Sequence, residues 1–183
     1  MHQRSDSMTK KIVLWVLLPV VAIAVGVYFW LGGFQSIEIE EVQHQPRVIW
    51  GTPYQGKYGD LKLREIFVTT QQLLREGKVQ GTLVVVNYDS LFNTQKVNQF
   101  IGVLPVPPVE MANLPEKADT LIGGKYLRVH LYGQPAVRPT PEQTDQKVRE
   151  YASQQGLMLG AKMVEHYFGA DSMWVEYPIS IKK

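Results

Sequence analysis

The last two extended stretches of this chain carry its most reactive side chains. Phe168-Gly-Ala-Asp-Ser-Met173 is a tight turn between them, and an even-length turn pairs residues whose numbers sum to 341. In that register Tyr167 faces Trp174 and Glu165 faces Glu176, with Met163 on the same sheet face, while Val164, His166, Phe168, Val175, Tyr177 and Ile179 form the more apolar opposite face. Like charges directly across a ladder repel, so two opposed carboxylates need a reason. Three are open. Each can be screened on a solvated face, or the pair can line a cleft that draws in a cationic or polar aromatic molecule by charge and cation–π attraction. In the third, one carboxyl raised in pKa serves as an acid in catalysis. Trp50, Tyr54 and Tyr58 lie where an earlier turn would meet such a cleft, although core packing explains them equally well. Tyr88 occupies the place in the first half of the chain that Tyr167 occupies in the second.

Other chemistries find little support. There are no cysteines, which removes disulfides, thiolate metal sites and a cysteine nucleophile. His44, His130 and His166 lack metal-ligand spacing, so no metal and no cofactor is expected. Gly123-Gly124 precedes a strand rather than a helix, and no Gly-x-Ser-x-Gly elbow occurs. The formal charge of +2 over 183 residues comes from Arg4, Lys10 and Lys11 set against Asp6, and the remaining acidic and basic side chains balance. A neutral body does not favour nucleic acid, whose phosphates require a clustered positive field.

The elements that must position these residues follow from periodicity and capping. Ile37-Glu-Ile-Glu alternates as a strand and Arg47–Trp50 continues extended, followed by turn chemistry in Thr52-Pro-Tyr-Gln-Gly-Lys-Tyr-Gly. Asp60 caps a helix to about Glu76, stopped by Gly77. Residues 81–88 and 97–104 read as strands, and the proline-rich run from Leu104 as an edge or semi-rigid loop. The pattern then repeats. Lys125–Tyr132 alternates, Thr140-Pro-Glu-Gln is a capping box with Pro at the first helical position, and residues 161–168 and 173–181 are the closing strands. Strand–helix–strand–strand, twice, predicts an α+β domain with an antiparallel sheet and two helices over residues 37–183.

Ahead of it, Ile12–Leu31 is free of charge, and twenty residues at 1.5 Å each match a hydrocarbon core of about 30 Å. Trp15 at one end and Tyr28, Phe29 and Trp30 at the other fit interfacial positions. This predicts a short cytoplasmic tail over 1–11 and an uncleaved single-pass membrane anchor over 12–32. By the positive-inside rule the domain then lies outside, on the periplasmic side of the inner membrane if the source is bacterial.

The order of short motifs over 37–183 resembles the GyrI-like small-molecule-binding domain, also found as the effector-binding domain of AraC-type and multidrug-responsive regulators. Those motifs are Arg47 with Gly-Thr-Pro-Tyr54, Asn87-Tyr-Asp-Ser, Val164-Glu-His-Tyr167 and Trp174-Val-Glu-Tyr-Pro-Ile179. The resemblance implies two βαββ units about a pseudo-twofold axis, a fold related to the SOUL haem-binding proteins. It also implies that Glu165 matches the buried glutamate with which multidrug-binding members meet cationic ligands. The resulting expectation is a membrane-tethered, non-enzymatic domain that binds a small amphipathic, cationic or aromatic molecule through Glu165, Tyr167, Trp174, Glu176, Tyr88, Trp50, Tyr54 and Tyr58. The alternatives are a hydrolase of a small hydrophobic or toxic compound with Glu165 as acid or base, as some members resemble, and a protein-interaction module at the membrane surface. Haem binding is a weaker fourth reading.

Overall fold

In the computed structural model the described residues are 4–30, 37–88, 96–107, 113–134, 137–169 and 171–181. They divide into two compact units, one comprising Met1–Ser36 with Tyr132–Arg138 and the other Ile37–Leu131 with Pro139–Lys183.

Within the first unit, helix α1 runs Arg4–Trp30. Its side chains are described continuously over residues 15–28. Among the described residues no helix is long and apolar enough to cross a membrane. The expected transmembrane anchor, the single-pass topology and the localisation built on it are therefore not supported, and the fold is α+β with three helices and no established span.

The second unit is built on one large antiparallel sheet. Its strands are β1 (Glu38–His44), β2 (Arg47–Lys57), β3 (Gly81–Asn87), β4 (Lys96–Pro105), β5 (Lys117–Leu121), β6 (Gly124–Tyr132), β7 (Leu157–Leu159), β8 (Met163–Tyr167) and β9 (Ser172–Ile181). The order across the sheet is β1-β6-β9-β8-β3-β4-β2-β5, with β7 beside β9. Two βαββ units are legible in it: β2, helix α2 (Leu61–Arg75), β3 and β4, then β6, helix α3 (Pro141–Gln154), β8 and β9. They meet at the β3–β8 pair, so the order reads the same outward from that seam in both directions.

Capping follows the sequence closely. The Asp60 carboxylate accepts from Lys62 N–H at the start of α2, and Thr140 with Gln143 closes a reciprocal capping box on α3. The stretch from Thr52 to Lys57 departs from expectation, being strand rather than turn and paired with β4 from Thr52↔Ile101 to Lys57↔Lys96. Pro53 is tolerated there because β5 pairs only Arg47–Gly51, which leaves the other side of Pro53 without a ladder partner to miss its N–H. Gly51 and Gly102 sit opposite each other in a close approach. A Cβ on Gly51 would come within 2.1 Å of the Ile101 carbonyl oxygen.

Both helices of this unit cover the same sheet face. Leu63, Ile66, Phe67 and Leu74 of α2 pack on a cluster of Tyr54, Leu83, Val85, Val97 and Ile101. Val148 and Ala152 of α3 join Leu127, Val129, Leu131, Met163, Met173, Val175 and Tyr177. The opposite face carries a smaller cluster of Ile49, Val84, Val86, Phe100, Leu121 and Val164.

Candidate functional site

Register decides which side chains meet. In the β8–β9 hairpin Glu165 pairs with Val175, Val164 with Glu176, His166 with Trp174 and Tyr167 with Met173. Phe168 N–H donates to the Ser172 carbonyl, so an odd number of residues, 169–171, separates the last pair, with Gly169 at φ +86°. An even-length turn was the wrong premise, and a one-residue slip moves a whole set of side chains to the other face. Glu165 and Tyr167 thus share the helix-covered face with Val175 and Tyr177. Trp174 and Glu176 lie on the opposite face with Val164 and His166. The two carboxylates do not confront each other.

Glu165 sits at the seam of the two βαββ units, across from Val85 of β3. Asn87 Nδ2 donates to its Oε1 at 3.1 Å and the Tyr167 hydroxyl to its Oε2 at 2.5 Å. Behind Asn87, Gln99 Nε2 donates to Asn87 Oδ1 at 2.6 Å, which fixes the amide with its NH2 toward the glutamate. Tyr167 packs against both helix-side clusters, and Phe67 of α2 meets its ring edge-on with centroids 5.3 Å apart. All the donors to Glu165 are neutral. Among the described residues no cationic side chain pairs with it. Desolvation therefore raises its pKa above the ordinary carboxylate value, and the bonds from Tyr167 and Asn87 offset this only in part. Glu165 still keeps some accessible surface despite its crowded surroundings. Chemically this is a lone acid in an aromatic setting, an arrangement that a cation would complete.

On the other face Glu176 is fully buried, at 0% exposure, and already complete. Its Oε1 accepts from His44 Nε2 and Arg128 Nε, both at 2.9 Å, and its Oε2 from Arg47 and His166, both at 3.2 Å. Burial alone would raise this carboxyl. The bonds from His166, His44 and Arg128, and the charge of His166, outweigh burial and hold it far below the usual range. Arg128 also lies 4.1 Å over the Trp174 ring, which Phe168 meets at 4.3 Å. Trp174 and Glu176 accordingly belong to an ion-pair hub.

The remaining expected residues scatter. Tyr54 is in the helix-side cluster, its hydroxyl donating to Asp60 and to the Lys57 carbonyl. Trp50 shares that face by register, opposite Val103. Tyr58 is 73% exposed. Tyr88 packs on the opposite face from Tyr167 and bonds Asp119, so the two tyrosines are not symmetric partners across one cleft. Asn87, Gln99 and Phe67 were missed by sequence reasoning. The available signal for the first two was an amide side chain in each of two otherwise apolar strand runs, Asn87 after Leu83–Val86 and Gln99 before Phe100-Ile101.

No family model matches the sequence, and no curated protein matches it. Solved structures do. SAV2435 bound to tetraphenylphosphonium superposes with a TM-score of 0.52 at 16% identity, over 78% of this chain and 94% of that one. The C-terminal domain of EcmrR, a protein also seen in a complex with DNA, gives 0.56 at 8% identity over 80% and 99%. The fold is that of the GyrI-like effector-binding domains. A hydrolase from Listeria innocua has the same fold, with a TM-score of 0.51 at 11% identity over 78% and 92%. At these identities the likeness is one of fold.

Proposed function

We propose that this chain binds a small cationic or polar aromatic molecule on the helix-covered face of its sheet, with Glu165 as the charge complement, and that it does so without catalysis. The observation that carries this reading is the crowded carboxylate of Glu165, held by Asn87 and Tyr167 and without a cationic partner among the described residues. A bound cation would favour the ionised form and supply the missing charge. Tyr167 offers a ring face, and Phe67 is the group a bulky ligand has to displace. The tetraphenylphosphonium held by SAV2435 is a lipophilic aromatic cation of this class.

The test is calorimetric titration of the full chain with tetraphenylphosphonium. Glu165→Gln preserves volume and should weaken binding about tenfold or more, the loss expected when a charge-assisted contact becomes neutral. Tyr167→Ala should weaken it through lost stacking. Equal affinity of wild type and Glu165→Gln would refute the assignment. The fold shared with the Listeria hydrolase keeps one alternative in view, in which Glu165→Gln abolishes turnover of a substrate while its binding survives.

A further inference from the structure

A second cavity, about 160 Å³ in volume, opens on the sheet face away from the helices. Val86, Leu121, Tyr126, Val164 and Ile179 give it apolar walls. It is close in size to a cavity of about 150 Å³ that accommodates a benzene molecule. Lys125 and Lys162 also line it. Neither has a carboxylate partner among the described residues. Lys162 Nζ instead lies 4.8 Å over the Tyr88 ring. Asp119, bonded to that tyrosine, is already engaged by the Tyr88 hydroxyl and by Thr120 N–H. Arg47, cross-strand neighbour of the lining residue Leu121, has a buried Nε with no hydrogen-bond partner among the described residues. Two further acids of this face are engaged as well, Glu176 by its own arginines and histidines and Glu40 by Arg128 and His130. The balance of charge available to a guest is positive.

We infer that this cavity is a separate binding site for a small aromatic anion, with a single ring between Val86, Val164 and Tyr126 and its carboxylate or sulfonate at the Lys162 ammonium. The ring gains burial against apolar walls, and the anion gains a cationic donor that has no carboxylate partner among the described residues. The site does not depend on Glu165, which projects from the other face of the same sheet. The two faces then have opposite charge preferences, a cation under the helices and an anion on the uncovered side.

Benzoate, benzyl alcohol and benzylammonium, titrated into the isotopically labelled full chain and followed by amide shifts, separate the possibilities. Benzoate should shift the amides of residues 120–126 and 162–164. The variant Lys162→Gln, altered only at a lysine outside the apolar core, should lose about tenfold or more in benzoate affinity. Glu165→Gln should leave benzoate binding unchanged, which keeps this test independent of the helix-side reading. Absence of benzoate shifts at millimolar concentration would overturn the inference. So would binding that survives Lys162→Gln, or benzylammonium shifting the same amides as strongly as benzoate.

Discussion

Replacing Glu176 with glutamine should destabilise the domain severely although the side chain keeps its shape. The carboxylate is completely enclosed and accepts from His44, Arg47, Arg128 and His166. Removing its charge leaves the Arg47 guanidinium in a poorly solvated place without its counter-ion and Arg128 with only the half-exposed Glu40, and turns one of the two oxygens into a donor that faces donors. Breaking a buried ion pair by losing one partner costs about 3–5 kcal/mol. For a domain whose total stability is about 5–15 kcal/mol, that is about a fifth or more. With a urea slope of about 2 kcal/mol per molar, the midpoint should fall by roughly 2 M. The sign with pH is also fixed. Glu176 has a folded pKa below its ordinary value near 4.5, so its contribution is fully present above that value and drains away as pH falls beneath it. The gap between wild type and Glu176→Gln should therefore be widest at neutral pH and narrow in acid. Urea unfolding of the full chain, followed by tryptophan fluorescence over that range, reads both effects. A loss below about 1 kcal/mol at neutral pH would refute the hub as an energetic unit, because it would place the pair within the range of solvated surface pairs. A paired register between Glu165 and Glu176 would have made the same substitution stabilising, so the experiment also tests the register.

Glu165 should behave in the opposite sense. Its folded pKa is raised, so its favourable contribution is present below the ordinary value and is lost as pH rises through the raised one. Glu165→Gln should gain stability relative to wild type on going from acid to neutral pH in the same urea series, and a constant difference would contradict the desolvated acid. Thr140→Ala removes the hydroxyl that accepts from Gln143 N–H at 3.3 Å and should cost about 1 kcal/mol, read as a fall of roughly 2–4 °C in the thermal midpoint.

Local chemistry settled much of this protein from the sequence alone. Both helices of the sheet unit start where Asp60 and Thr140 cap them, because a cap is satisfied by N–H groups two or three residues away. The β-rich run over residues 81–87 and the alternation along residues 125–132 gave strands, and their repetition around two helices gave the doubled α+β plan, since each depends only on neighbours in the chain. The short strand Lys117–Leu121 was not legible, because its partner β2 lies some seventy residues earlier and its own sequence does not alternate.

Tertiary structure alone decided which side chains meet around Glu165. Glu165 and Tyr167 were singled out correctly as neighbours, yet their companions came from β3 and α2, as Asn87 and Phe67, rather than from β9. The physical reason is the two-residue period of a strand, by which one residue more or less in the hairpin exchanges Trp174 and Glu176 for Val175 and Tyr177. The same parity separated Tyr88 from Tyr167 and placed a lone acid under the helices and a buried ion-pair hub on the uncovered face. Hydropathy named the apolar run in α1, but only the described structure bears on a span, and there no helix is long and apolar enough to cross a membrane. Composition counts charges; which of them are left without a partner is decided by how the strands of distant segments align.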